Sequence, residues 1–227
     1  MITQPAVIEL RGIGRRFGTD PPFDALSGVD LQVQRGEWLA IAGPSGSGKS
    51  TLLNIVGLLD VQTSGTYLFN GIDVSGLRDH QRAGLRSRAI GFVFQSFHLI
   101  SHRTVLENVM LSDVYRKYPR RDRHERAATA LARVGLSKRA DYLPTRLSGG
   151  ERQRAAIARA IMGSPRALLC DEPTGNLDSA TTASILELFA ELNSGGLTIV
   201  TITHEADVAQ RASRRLRIID GKIEGSP

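Results

Sequence analysis

Residues Gly43-Pro44-Ser45-Gly46-Ser47-Gly48-Lys49-Ser50-Thr51 constrain this chain more than any other stretch. They satisfy the pattern G-x-x-x-x-G-K-[ST], in which glycines curl the backbone so that several N–H groups converge on phosphate oxygens. Such a loop works only between a strand and a helix. Trp38-Leu39-Ala40-Ile41-Ala42 before it reads as a buried strand, and Ser50-Thr51-Leu52-Leu53-Asn54-Ile55-Val56 after it reads as the opening of a helix. That helix start adds unpaired N–H groups and the positive end of its dipole. Among chains of this glycine content, chance would produce the pattern about once in two hundred sequences. The stretch therefore predicts a bound nucleoside triphosphate, with Lys49 reaching the β- and γ-phosphates and the Ser50 hydroxyl on Mg²⁺.

At 227 residues the chain can bury one sizeable core, or one core carrying a smaller subdomain. No apolar run approaches the roughly eighteen residues needed to cross a bilayer, and Met1-Ile2-Thr3-Gln4-Pro5 does not read as a signal peptide. The single cysteine, Cys170, excludes an internal disulfide and fits a reducing compartment. A cytoplasmic location is expected, with any membrane attachment supplied by another protein. The net charge of +6 comes from interspersed acids and bases. The one basic cluster, Arg116-Lys117-Tyr118-Pro119-Arg120-Arg121-Asp122-Arg123, lacks an RNA-binding motif and reads as a solvated helix junction, so no nucleic-acid partner is expected.

The patterning predicts an α/β fold. Val7–Leu10 and Val29–Val33 alternate apolar and polar, and Thr66–Phe69 leads into an Asn70-Gly71 turn. With a loop at Arg15–Pro22, these form a small N-terminal antiparallel β subdomain laid against the phosphate-loop strand. Ala89–Phe94, closed by Gln95, is a further buried strand. From about Thr104 to Leu143 the sequence turns to Ala, Leu, Arg and Glu at helical spacing, with Ala127, Ala130, Leu131 and Val134 on one face. This predicts an α-helical subdomain, at about residues 96–160, inserted into a phosphate-loop NTPase core of mostly parallel sheet. Ala167–Cys170, the helix Ser179–Leu192 and Leu197–Ile202 form a parallel crossover, and Arg217–Ile219 with Lys222–Glu224 a terminal hairpin.

Two further stretches carry chemistry. The apolar strand Ala167-Leu168-Leu169-Cys170 ends in Asp171-Glu172, at the carboxyl end where open α/β sheets place their ligands. Asp171 would hold Mg²⁺ through a water, and Glu172 would polarise the attacking water as general base. Cys170, inside the strand, reads as a small buried hydrophobe. Leu147-Ser148-Gly149-Gly150-Glu151-Arg152-Gln153-Arg154 opens a long helix that Ser148 can cap, and its glycines leave N–H groups uncovered. The phosphate loop already cradles a triphosphate from its own subunit. A second phosphate-seeking helix start points to two copies facing head to tail, each completing the other's site.

In order and spacing these motifs resemble the nucleotide-binding subunit of ABC transporters over nearly the whole chain, residues 1–227 as a single ABC ATPase domain. Leu147-Ser148-Gly149-Gly150 is the most specific of them. The resemblance implies that Leu147, Ser148, Gly149, Gly150 and Glu151 act on the partner copy's ATP. It implies that Gln95 touches Mg²⁺ and the attacking water and senses the membrane partner, that Asp178 crosses the dimer interface, and that His204 contacts the γ-phosphate. Phe17 stands where an aromatic, most often tyrosine, stacks on adenine; phenylalanine keeps the ring and loses the hydroxyl. Ile90-Gly91-Phe92-Val93-Phe94-Gln95, Thr104–Val109 and Asp171–Asp178 are most similar to the branch of macrolide-type exporters, lipoprotein-releasing ATPases and the cell-division ATPase.

The resulting expectation is an ATP- and Mg²⁺-dependent ATPase that dimerises on ATP and drives a separate transmembrane permease from the inner face of the plasma membrane. Export, lipoprotein release and mechanical signalling across the membrane fit equally. The alternative is a soluble ABC-type ATPase acting on nucleic acid or ribosomes, which would normally carry a long heptad insertion or two cassettes. A GTPase is disfavoured, because no Asn-Lys-x-Asp motif occurs.

Overall fold

The computed structural model describes residues 6–18, 20–116 and 118–224. The readings made for residues 1–5, Thr19 and Lys117 lie outside them. Two sheets form the frame. The first is antiparallel, ordered β2-β1-β4-β5, with β1 at Ile8–Phe17, β2 at Phe23–Val33, β4 at Ser64–Phe69 and β5 at Ile72–Asp73. The second is ordered β10-β9-β3-β8-β7-β6, from β3 (Trp38–Ala42), β6 (Ile90–Phe94), β7 (Ala167–Asp171), β8 (Thr198–Ile202), β9 (Arg214–Ile219) and β10 (Lys222–Glu224). Its members run parallel except for β10, which pairs antiparallel with β9 at the edge.

The central strands are apolar throughout because both faces are covered. On one face Leu39, Ile41, Leu169, Val200 and Ile202 pack with α1 (Lys49–Val56) and with the antiparallel sheet. Alternate residues Trp38, Leu168, Cys170 and Ile199 point the other way, into a second cluster. That cluster is built from α3 (Val105–Met110), α4 (Arg120–Arg133), α5 (Gly149–Ile161), α6 (Ser179–Ser194) and α7 (Ala206–Arg211). The α4 face anticipated from sequence is buried: Ala127, Ala130, Leu131 and, just beyond the helix, Val134. Leu52, Leu53, Ile55 and Val56 of α1 are buried at helical spacing, and Tyr67 donates its hydroxyl to the Val56 carbonyl at 2.7 Å.

Some boundaries differ from expectation. The loop read as Arg15–Pro22 begins only at Gly18, because Arg15, Arg16 and Phe17 continue β1. Arg16 lies opposite Asp24 on β2 and binds its carboxylate at 2.6 and 2.8 Å, while Arg15 grips Asp60 at 2.8 and 2.9 Å. The cross-strand Arg16–Asp24 pair, with Arg15 anchored on Asp60, thus supports strand where the Gly and Pro content suggested loop. Residues 111–116 form a 3-10 helix, and α2 (Asp79–Ala89) and α7 were not anticipated. Helix α6 runs two residues further than expected. Among the described residues, no helix is long and apolar enough to cross a membrane.

Candidate functional site

Strands β3, β8 and β7 are neighbours, so the residues leaving their carboxyl ends meet. They line a cleft of about 440 Å³ that brings together Gly43, Ser45, Gly46, Gly48, Lys49, Ser50 and Thr51 from the loop, Asp171 and Glu172 from β7, and His204 from β8. A larger cavity of about 860 Å³, between β1, β2 and β9, contains none of these groups.

The loop's shape is set by backbone crowding. A Cβ on Gly43 would lie 2.2 Å from the Ile218 carbonyl oxygen, and one on Gly48 (φ +99°) 2.4 Å from that of Ala25. The loop is therefore wedged between β9 and β2, and no residue with a side chain fits either point. The Asp220-Gly221 turn ties them: Gly221 N–H donates to Ser47 O at 3.0 Å and Ser27 N–H donates to Gly221 O at 2.9 Å. Lys49, only 9% exposed, donates from Nζ to the Gly43 and Pro44 carbonyls at 2.8 and 2.6 Å. No side chain caps α1 and no acid occupies its first turn, so its leading N–H groups suit an anion. Ser47 Oγ is buried without a hydrogen-bond partner among the described residues.

The acids sit at the strand end as anticipated. Burial, with Glu172 next door, pushes the Asp171 carboxyl above its ordinary range; Lys49 acts in the opposite sense. Glu172 adopts φ +45°, a left-handed conformation uncommon for a side-chain-bearing residue, and its N–H donates to Ile202 O at 3.0 Å. Its Oε1 lies 2.9 Å from His204 Nδ1, joining two residues 32 positions apart. The neighbours of His204 are braced in turn, with Glu205 N–H donating to Thr203 Oγ1 at 2.9 Å and Thr174 Oγ1 donating to Glu205 Oε1 at 3.0 Å. Among the described residues no three His, Cys, Asp or Glu side chains converge on a metal position. Ser50 and Asp171 are instead two hard oxygen donors beside a phosphate cradle, a set that suits Mg²⁺ completed by phosphate oxygens and water.

The remaining sequence-predicted residues lie outside this cleft. Gln95, just past β6, exchanges hydrogen bonds with Asn176: its Nε2 donates at 3.3 Å and its carbonyl accepts at 3.0 Å. Asp178 caps α6, accepting from the Thr181 N–H and hydroxyl at 2.9 and 2.7 Å, which hold its carboxyl below the usual range. Leu147–Glu151 contribute nothing to the cleft lining; Ser148 caps α5 reciprocally with Glu151. Phe17 is 39% exposed and has the Arg15 guanidinium 4.3 Å from its ring centroid. Its β2 partner Phe23, 60% exposed, lines the cleft together with Ala25. Neither was anticipated from sequence: Phe23-Asp24-Ala25-Leu26, directly after Pro22, breaks the apolar-polar alternation at Ala25-Leu26 and so carries only a weak strand signal.

A phosphate loop opening an uncapped helix, an acidic strand end with one strand between, and a histidine just past the end of that intervening strand define a phosphate-loop nucleoside triphosphatase. The chain belongs to the ABC transporter family, whose model matches residues 26–175, and it is an ATPase of that family. It is 52% identical over 198 residues to the uncharacterized ABC transporter ATP-binding protein YvrO of Bacillus subtilis (strain 168), covering 87% of this chain and 86% of that protein. It is 47% identical over 221 residues to the macrolide export ATP-binding/permease protein MacB of Nitrosomonas europaea, covering 96% of this chain but 34% of that protein. The fold matches the dimeric post-hydrolysis state of the ATP-binding cassette MJ0796 bound to ADP and Pi, with TM-score 0.87 and 38% identity over 96% of this chain and 97% of that one. The α/β architecture expected from sequence, with its antiparallel N-terminal sheet and helical part, agrees with this neighbour. A nucleic-acid- or ribosome-directed ATPase is not favoured by these relatives.

Proposed function

We propose that this chain forms a head-to-tail homodimer around ATP and drives a separate membrane permease from the inner face of the plasma membrane, in export or a related mechanical task. The observation that carries the reading is the separation of two helix starts within one chain. The uncapped start of α1 belongs to the cleft, whereas the Ser148-Gly149-Gly150 start of α5 does not line it. A second copy would supply the missing wall. The dimeric neighbour bound to ADP and Pi and the ATP-binding/permease relatives support the same arrangement. Residues 1–227 then act as one cassette, with the helical stretch at about 96–160 as an insertion.

Each role follows from a position. Gly43–Thr51 hold the triphosphate through backbone N–H groups, and Lys49 exchanges its two carbonyl partners for β- and γ-phosphate oxygens. Mg²⁺ would be held by Ser50 and Asp171, with Gln95 reaching it on closure, and when bound would offset phosphate charge. Glu172 accepts the proton of the attacking water, and His204 orients its carboxylate while facing the γ-phosphate. With Glu172 ionised, His204 Nδ1 must carry the proton of their shared hydrogen bond. Phe17 packs on adenine once Arg15 yields its face. Asp178 meets the partner at the interface, and the Gln95–Asn176 bonds link the stretch after Glu172 to the helical part that would face the permease.

The test is Glu172→Gln, examined by size-exclusion chromatography with ATP and Mg²⁺. A stable dimer with little turnover is expected; a monomer with near-normal hydrolysis would overturn the assignment.

A further inference from the structure

The start of α5 carries an electrostatic conflict. Glu151 is its third residue, and a carboxylate in the first turn stabilises the helix through its dipole. The same charge opposes the approach of another anion to those N–H groups. Under the head-to-tail reading, on which this inference rests, that anion is the partner copy's triphosphate.

Arg139 resolves the conflict. It ends the short 3-10 helix Ser137–Arg139, and its Nε donates to Glu151 Oε1 at 2.8 Å. The other oxygen, Oε2, accepts the Ser148 N–H at 3.0 Å, while Ser148 Oγ accepts the Glu151 N–H at 3.2 Å. The guanidinium also stacks 4.9 Å from the centroid of Tyr142, which limits its motion. Arg139 first, and the Ser148 N–H after it, hold the Glu151 carboxyl below the usual range, so its charge persists and needs this partner. Because Ser148 Oγ already accepts a hydrogen bond, its own proton remains to be donated.

We infer that Arg139 is a positioning residue for ATP-driven dimerisation: it neutralises Glu151 and locks the capping box, so that the Ser148-Gly149-Gly150 turn presents donors rather than net negative charge to the partner's triphosphate. It touches no substrate itself and acts through Glu151.

The experiment uses the full chain carrying Glu172→Gln, with ATP and Mg²⁺, and reads the monomer–dimer dissociation constant by sedimentation velocity. Arg139→Ala should weaken dimerisation about tenfold, and Arg139→Lys, which keeps the charge, should recover most of the loss. Glu151→Gln removes the charge but keeps a capping side chain. Adding Arg139→Ala to it should therefore change the constant by less than about twofold. The Arg139→Ala defect should also shrink as salt rises, because screened repulsion fades while a lost packing contact does not. An unchanged constant for Arg139→Ala, or an equal loss with and without the Glu151 charge, overturns the inference while leaving the dimer reading intact. If Glu172→Gln forms no dimer with ATP at all, the head-to-tail reading fails and this role for Arg139 falls with it.

Discussion

Replacing Gly150 by alanine would put a methyl group where two helix starts leave no room. Gly150 is the second residue of α5, and a Cβ there would lie 2.4 Å from Thr181 Cγ2 in the first turn of α6. Carbon atoms pack at about 3.5–4.0 Å, so the helices must part by about 1 Å or Thr181 must rotate. Rotation is opposed by the hydrogen bond, at 2.7 Å, that the Thr181 hydroxyl donates to Asp178 Oδ2. Overpacking of this kind costs about 1–3 kcal/mol. Alanine in place of glycine in a helix recovers about 1 kcal/mol. Gly150→Ala should therefore destabilise the protein by about 1 kcal/mol, read as a lower urea midpoint with unchanged slope. Thr181→Ser supplies the control, since it removes Cγ2 and keeps the hydroxyl. The next atoms, Cβ and Oγ1 of residue 181, then lie at 3.7 and 3.8 Å, ordinary contacts. On that background Gly150→Ala should be neutral or stabilising by up to about 1 kcal/mol. A Gly150→Ala protein as stable as the wild type, or one that Thr181→Ser fails to rescue, would refute the reasoning. Because this contact sets the spacing between the Ser148 and Asp178 caps, ATPase activity should fall in Gly150→Ala and return with the second substitution.

Asp171→Asn should abolish Mg²⁺-dependent hydrolysis yet raise the melting temperature by about 2 °C at neutral pH. The sign follows from the raised carboxyl: folding disfavours its charged form, so the burden is present above the folded titration range and absent below the unfolded one. The advantage of Asn should accordingly vanish on acidification; a constant advantage at every pH would contradict it. Tyr67→Phe leaves the buried Val56 carbonyl without its donor and should cost about 1–2 kcal/mol in urea unfolding, with ATP affinity unaltered. Cys170 is fully buried and its thiol is pushed upward by that burial, so a thiol reagent should label it only at the rate of global unfolding. Fast labelling of the native protein would be incompatible with the sheet register around it.

The parts legible in the sequence are those in which a pattern of a few residues suffices. The phosphate loop, the strand running into Asp171-Glu172, the Ser148 cap and the apolar face of α4 each depend on neighbours within a turn or a strand, so local spacing exposed them. Gly18, Pro21 and Pro22 make the whole stretch from Arg15 read as loop; the partners of Arg15 and Arg16, Asp60 and Asp24, come into reach only when β1 pairs with β2 and α1 packs beneath. Tertiary structure alone decided that Ile218 and Ala25 carbonyls pinch the phosphate loop, that Phe23 rather than Phe17 lines the cleft, and that Arg139 meets Glu151. It also joined Glu172 to His204 across adjacent strands. Each of these contacts depends on which strands the chain sets side by side and how closely its helix starts approach, and that geometry is spread over residues too far apart for a local pattern to record.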